Sequence, residues 1–384
     1  MWVLRAAVVV LVSAWAALAL PSIPKDLSRF PDDLFQPLPV VIWHGLGDSA
    51  YSPWLLKLKK HIETMYPGIF VHLVAIKPTL FSDQRATVFG NVNDQIDLVH
   101  RELNAIPELR HGFDAVGFSQ GGQFMRGYVE RYNAPRVRNL ITFGSQHMGI
   151  TDLPACQPFD ALCHTVHGLV EGRVYSDYAQ KSIVTAQYFR DTRTEEQFAL
   201  YKERNKFLYD INNEGPKKNA TYKANLERLD KFVMVKFSEE STVVPATSSW
   251  FAAYPDPDRH EGRANATIPL RQSALYEEDW VGVRALDRKG ALAFHECPGM
   301  HMHLSPECIA LTFGQYIGRP RVVRPWSEHV HSCRATTLSA SVLLWSCIIF
   351  VLLGLGIRRM RSRRVPEHGP IHLVSETPSE VKSY

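Results

Sequence analysis

Ser119 sits in Gly117-Phe118-Ser119-Gln120-Gly121, a G-x-S-x-G run extended by Gly122. A serine becomes a nucleophile when a base takes its proton and a tight turn presents its hydroxyl, and small neighbours permit such a turn. The apolar run Phe113-Asp114-Ala115-Val116-Gly117 reads as a strand and Gln123 to Arg131 as a helix, which puts the serine at a strand-to-helix bend. That context points to acyl transfer through a covalent intermediate. The chemistry also requires two backbone N–H donors aimed at the oxygen that becomes negative. One is expected from Gln120, directly after the nucleophile. The other is expected from the glycine loop His44-Gly45-Leu46-Gly47, with Leu46 as the donor. His44 itself precedes the nucleophile, whereas hydrolases built on this bend run in the order serine, acid, histidine, so it is not taken as the base.

The elements that must position these groups follow from periodicity. Pro39 to Trp43 is a short β-branched run stopping at the glycine loop, and further strands are expected at Ile69 to Ile76, Leu140 to Gly144 and Lys231 to Phe237. Asn93 to Leu109 spaces Ile96, Leu98, Val99, Leu103 and Ile106 in a mostly helical pattern. The alternation implies an α/β class with a mostly parallel central sheet flanked by helices. Residues 150–230 are polar, tyrosine-rich and helical in pattern, and are expected to form a cap insertion whose Tyr175, Tyr178, Tyr188 and Phe189 wall an apolar groove.

A hydrophobic content of 45% with 21% charged residues excludes disorder of the whole chain. The formal charge of +4 owes much to Arg358, Arg359, Arg361, Arg363 and Arg364 in one short stretch, so nucleic acid is not an expected partner. No CxxC pair or HExxH run is present, and acyl transfer by a serine needs no cofactor, so neither metal nor cofactor is expected.

Residues 1–19 combine Arg5, an apolar run and small residues at Ala17 and Ala19, the pattern of a cleaved signal peptide, with Pro21 following at once. Thr336 to Ile357 is uncharged over about the length that a bilayer core requires, and is the expected transmembrane helix. The arginines after it place residues 358–384 in the cytosol and the domain 20–333 in the lumen or outside. A removed glycolipid-anchor signal would end in its apolar tail, whereas here a polar segment continues to Tyr384. Asn219 and Asn265 each open an Asn-Ala-Thr glycosylation acceptor in the luminal part. Cysteine usage suits an oxidising compartment, with local bridges expected for Cys156 with Cys163 and for Cys297 with Cys308; four cysteines allow three pairings. Cys333 and Cys347 lie beside and inside the expected span, where a structural bridge is not expected.

The blocks VIWHGLGDS (41–49), NVNDQ (91–95), GFSQGGQFMRG (117–127), KFVMVKF (231–237) and MHMHLS (300–305) occur in the order found in the palmitoyl-protein thioesterase family, which the chain resembles over roughly residues 38–318. The resemblance implies an α/β-hydrolase fold, His301 as the base, and an acid in the loop after strand 231–237, where the family's aspartate aligns with Glu240. A glutamate can hold and charge-balance an imidazole as an aspartate does. Glu239 is the neighbouring alternative for the acid, and His303 for the base; the family register selects His301. The resemblance also implies palmitate carried on S-acylated proteins or peptides as the substrate class. It does not reach the expected membrane span, and the familiar lysosomal members are soluble, so lysosome, vacuole, endosome and cell surface all remain open. From the residues alone an oxygen-ester lipase or carboxylesterase, or a membrane protein keeping this fold without catalysis, stay as alternatives.

Overall fold

Runs of β-branched and aromatic residues build a six-stranded sheet in the computed structural model, which describes residues 37–153, 172–258 and 266–318 together with His164 and Gly168. In chain order the first elements are β1 (Val40–Trp43), α1 (Pro53–Met65), β2 (Val71–Leu73), α2 (Leu80–Ala86), α3 (Val92–Ala105), β3 (Phe113–Phe118), α4 (Gln120–Arg131) and β4 (Val137–Phe143). The helices α5 (Asp177–Ser182), α6 (Glu195–Arg204), α7 (Leu208–Ile211) and α8 (Ala220–Leu226) follow. Then come β5 (Lys231–Glu239), α9 (Ala274–Glu277), α10 (Val283–Arg288), β6 (Leu292–Met300) and α11 (Pro306–Tyr316). The strand order is β2-β1-β3-β4-β5-β6, and every neighbouring pair is parallel.

Parallel strands need both faces covered, and alternate side chains here point into two separate cores. Val41, Trp43, Ala115, Leu140, Phe232 and Met234 pack with Ile96 and Val99 of α3 and with Phe124 and Met125 of α4. Val40, Ile42, Val116, Phe118, Ile141 and Val235 pack on the other side with Leu55, Leu58 and Ile62 of α1 and Phe313 of α11. The helices α6 to α8 extend the first of these cores through Phe198, Tyr201, Leu208 and Leu226. Because all six strands run the same way, the loops that leave their C-terminal ends meet along one edge of the sheet, the usual place for a site in this class.

Two strands depart from the sequence reading, each for a physical reason. Past Val74, whose N–H reaches Ile42 O at 2.8 Å, the amides of Ile76 and Lys77 turn to the Asp83 carboxylate at 2.7 and 3.1 Å, so β2 ends well before Ile76. The strand β6 has no continuous apolar run, contains Pro298, and lies at the sheet's edge, where a proline costs no ladder bond to a further strand. Helix α4 starts at Gln120, three residues before its expected start, because Gly121 and Gly122 are part of it.

Among the described residues no helix is long and apolar enough to cross a membrane. The expected signal peptide 1–19, span 336–357 and tail 358–384 lie outside the described residues, as do Cys156, Cys163 and Asn265. Asn219 is exposed at the start of α8, where its side-chain oxygen accepts from Thr221 N–H at 3.0 Å.

Candidate active site

Ser119 occupies the single-residue bend between β3 and α4 with φ 51° and ψ −125°, a conformation costly for a residue with a Cβ. What holds it there is close backbone packing. Its N–H donates to Phe143 O on β4 at 2.8 Å, and a Cβ on Gly117 would stand 2.2 Å from Gly122 Cα. A Cβ on Gly121 would stand 2.4 Å from the carbonyl oxygens of both Trp43 and His44. Gly121→Ala must therefore push α4 away from the end of β1. It is expected to cost about 1–3 kcal/mol, read as a lower Tm, together with a loss of turnover larger than the stability change explains.

Three side chains from three loops converge beside this bend. His301, immediately after β6, places Nε2 3.1 Å from Ser119 Oγ, and its Nδ1 lies 2.6 Å from Glu240 Oε2, immediately after β5. The other Glu240 oxygen accepts from the N–H groups of Thr242 and Val243 at 2.8 and 3.0 Å. Burial opposes ionisation of Glu240, but the hydrogen bond and charge of His301 and the two amides outweigh it and hold the carboxyl below the usual carboxylate range. With Nδ1–H donating to that carboxylate, Nε2 is left as the acceptor for the serine hydroxyl. The Cys297–Cys308 disulfide joins β6 to the first turn of α11 across the His301 loop, with both cysteines buried.

The two neighbouring alternatives lie elsewhere. Glu239 is exposed and pairs in register with Met300, while His303 is exposed with its ring against Gly299. His44 faces Asp83, with Nε2 3.1 Å from Oδ2. His147, in the run after β4, stacks on Phe251 at 4.7 Å and meets Thr142 Oγ1 at 3.0 Å. Burial, with the Arg126 charge beside it, pushes His147 well below the usual imidazole range, so it is neutral.

Gln120 opens α4, so its N–H has no acceptor within that helix. Its side chain is fixed from both ends: Nε2 donates to Thr87 O at 3.0 Å and Oε1 accepts from Tyr188 OH at 2.9 Å. Gly45 passes directly beside Ser119, where a Cβ would lie 3.1 Å from Ser119 Cβ, which brings the next residue, Leu46, to the same region. The Leu46 side chain packs on an apolar cluster of Val88, just past α2, with Ala179 of α5 and Ile183 and Ala186 after it. Of the residues expected to wall a groove, Tyr175, Tyr188 and Phe189 are buried in the core, and Tyr178 faces solvent.

Asp83 carries a role that the sequence reading missed. Fully buried on α2, it accepts from Ser49 Oγ at 2.8 Å and from the amides of Ala50, Ile76 and Lys77, and faces His44. Burial works against its charge, yet His44, the Ala50 amide and Ser49 hold the carboxyl below its usual range. Thr87, one turn later, accepts from Gly47 N–H at 2.8 Å. Together they clamp both ends of the His44 to Ala50 loop. A lone aspartate in a polar run gives no sequence signal for this. Among the described residues no cluster of three or more His, Cys, Asp or Glu is arranged to hold a metal ion.

Comparison with known proteins agrees with the blocks found in the sequence. A profile described as palmitoyl protein thioesterase matches residues 39–301. The chain is 36% identical over 268 residues to palmitoyl-protein thioesterase 1 of Caenorhabditis elegans, covering 70% of this chain and 87% of that protein. It is 34% identical over 267 residues to palmitoyl-protein thioesterase 3 of Dictyostelium discoideum, covering 68% and 84%. It is 28% identical over 279 residues to a lysosomal thioesterase PPT2 homolog of Drosophila melanogaster, covering 70% and 86%.

Proposed function

From the premise that this chain belongs to the palmitoyl protein thioesterase family and is a thioester hydrolase, we propose that Ser119, His301 and Glu240 remove long-chain acyl groups, palmitate foremost, from S-acylated cysteines of proteins or peptides. The observation that carries the reading is the continuous hydrogen-bonded line from Ser119 Oγ through the imidazole to Glu240 Oε2, with contacts of 3.1 and 2.6 Å. His301 Nε2 takes the Ser119 proton as Oγ attacks the thioester carbonyl carbon. The N–H groups of Gln120 and Leu46 receive the oxygen that becomes negative. The C–S bond breaks, the sulfur leaves as a thiol with the proton returned by His301, and the acyl group remains on Oγ. Water, losing a proton to the same nitrogen, then releases the fatty acid and restores the serine. Glu240 keeps Nδ1 protonated and stabilises the imidazolium formed at each step.

The route through the secretory pathway is part of the same proposal: a signal at 1–19, the catalytic domain in the lumen of a lysosome-like or endosomal compartment, and a single span at 336–357. The buried Cys297–Cys308 bridge supports an oxidising compartment, and a lysosomal thioesterase is among the relatives.

The test compares acyl thioesters with the matching oxygen esters along one chain-length series. Thioester turnover is expected to exceed oxygen-ester turnover at every length. kcat/KM should fall by up to about fourfold for each methylene removed, as expected for a buried acyl chain worth about 0.8 kcal/mol per methylene. Faster cleavage of the oxygen esters would assign the site to a lipase or carboxylesterase instead.

A further inference from the structure

The loop that supplies Leu46 is held from outside by two elements that also present apolar groups to solvent. On α2, Asp83 and Ala86 face inward, while Phe81 is 82% exposed and Leu80 41% exposed. Just beyond the loop, Tyr51 and Trp54 are 41% and 37% exposed, and Trp54 rests its ring 5.3 Å from that of Phe118, the residue before the nucleophile. Ala50 N–H donates to Asp83, which ties these two stretches together at the rim of the site. Soluble surfaces seldom gather such large apolar groups beside one loop without a use.

Cations predominate around them. Across residues 50–62 and 75–90 the exposed ionic side chains include Lys57, Lys60, Lys77 and Arg85, the carboxylate in these stretches is the buried Asp83, and the half-buried Asp48 beside them accepts from Trp54 Nε1 at 2.9 Å. Aromatic and aliphatic groups ringed by cations match a bilayer interface, where the apolar groups enter the acyl boundary and the cations meet anionic headgroups.

We propose that the Tyr51–Trp54 and Leu80–Phe81 rim docks the catalytic domain on a bilayer carrying anionic lipid, so that a membrane-borne acyl chain passes directly into the site. The proposal rests on the thioesterase reading above and adds the surface on which the reaction occurs. It is tested with the full chain in phosphatidylcholine vesicles, with and without phosphatidylserine, by comparing hydrolysis of a vesicle-borne S-palmitoyl peptide with that of a soluble palmitoyl thioester. Phosphatidylserine should raise the ratio of the two rates. Phe81→Ser should lower the ratio by about tenfold, the loss expected for one phenyl group no longer buried, and Phe81→Trp should keep it. Lys57→Glu combined with Lys77→Glu should abolish the phosphatidylserine effect. A ratio unchanged by Phe81→Ser, including equal loss on both substrates, overturns the docking surface, as does a wild-type ratio indifferent to phosphatidylserine. Failure of the wild-type chain on the soluble thioester would instead contradict the thioesterase reading itself.

Discussion

Ser119→Ala is expected to lower kcat for palmitoyl-thioester hydrolysis by about 10⁵ to 10⁶, the scale of nucleophile removal from a site whose members act as a unit, and to abolish labelling by a fluorophosphonate probe. The magnitude follows from the local architecture. The bend gives the hydroxyl an imidazole at 3.1 Å, and its strained φ of 51° is maintained by Gly117, Gly121 and Gly122 rather than by the serine side chain. Alanine fits that backbone as serine does, so the Tm should stay near that of the native protein. Activity lost with a native melting curve is the expected pair of results; labelling that persists would place the nucleophile elsewhere.

Glu240→Gln should lower kcat by about 10³ to 10⁴, because an amide facing Nδ1 favours the tautomer with Nε2 protonated, which cannot take the serine proton. Glu239→Gln, on an exposed side chain, should change it by no more than about twofold. The pair is informative because the two residues are adjacent and equal in charge. A stability signature accompanies the kinetic one. The folded carboxyl of Glu240 lies below its unfolded value of 4.5, so its ionised form is favoured in the folded protein. The stability this adds is fully present above pH 4.5 and is lost as pH falls through the lower folded value. The Tm gap between the native chain and Glu240→Gln should accordingly be widest near neutral pH and shrink on acidification below about 4.5. The reverse order of the two kinetic effects would move the acid to Glu239.

Much of the architecture was legible because it depends on local pattern. The runs at 39–43, 113–117 and 231–237 are apolar and β-branched since they are buried on both faces, and such runs announce parallel strands. The glycines around Ser119 announced the bend, since only residues without a Cβ allow α4 to approach Trp43 and His44. What escaped is what depends on distant partners. The edge strand β6 has few apolar neighbours to impose a pattern, and Asp83 acquires its role only when the chain folds back to bring residues 49, 50, 76 and 77 around it. Likewise the tyrosines between residues 150 and 230 read as groove lining, yet Tyr175 and Tyr188 are core and Tyr178 faces outward, because tyrosine composition alone does not fix which side chains a segment buries. The choice of His301 over His303 rested on family register rather than on periodicity. In the fold, His301 directly follows the last residue of β6 and His303 turns back onto Gly299.

The central claim, that Ser119 carries the acyl group between the two half-reactions, is tested most directly by acid-quenching the full chain during turnover of a palmitoyl thioester and sequencing the modified peptide by mass spectrometry. One palmitoyl group in oxygen-ester linkage to Ser119, absent from Ser119→Ala and accumulating in Glu240→Gln only as fast as that variant turns over, is the result this mechanism requires. Palmitate found on another side chain, or rapid hydrolysis by the Ser119→Ala chain, would contradict it.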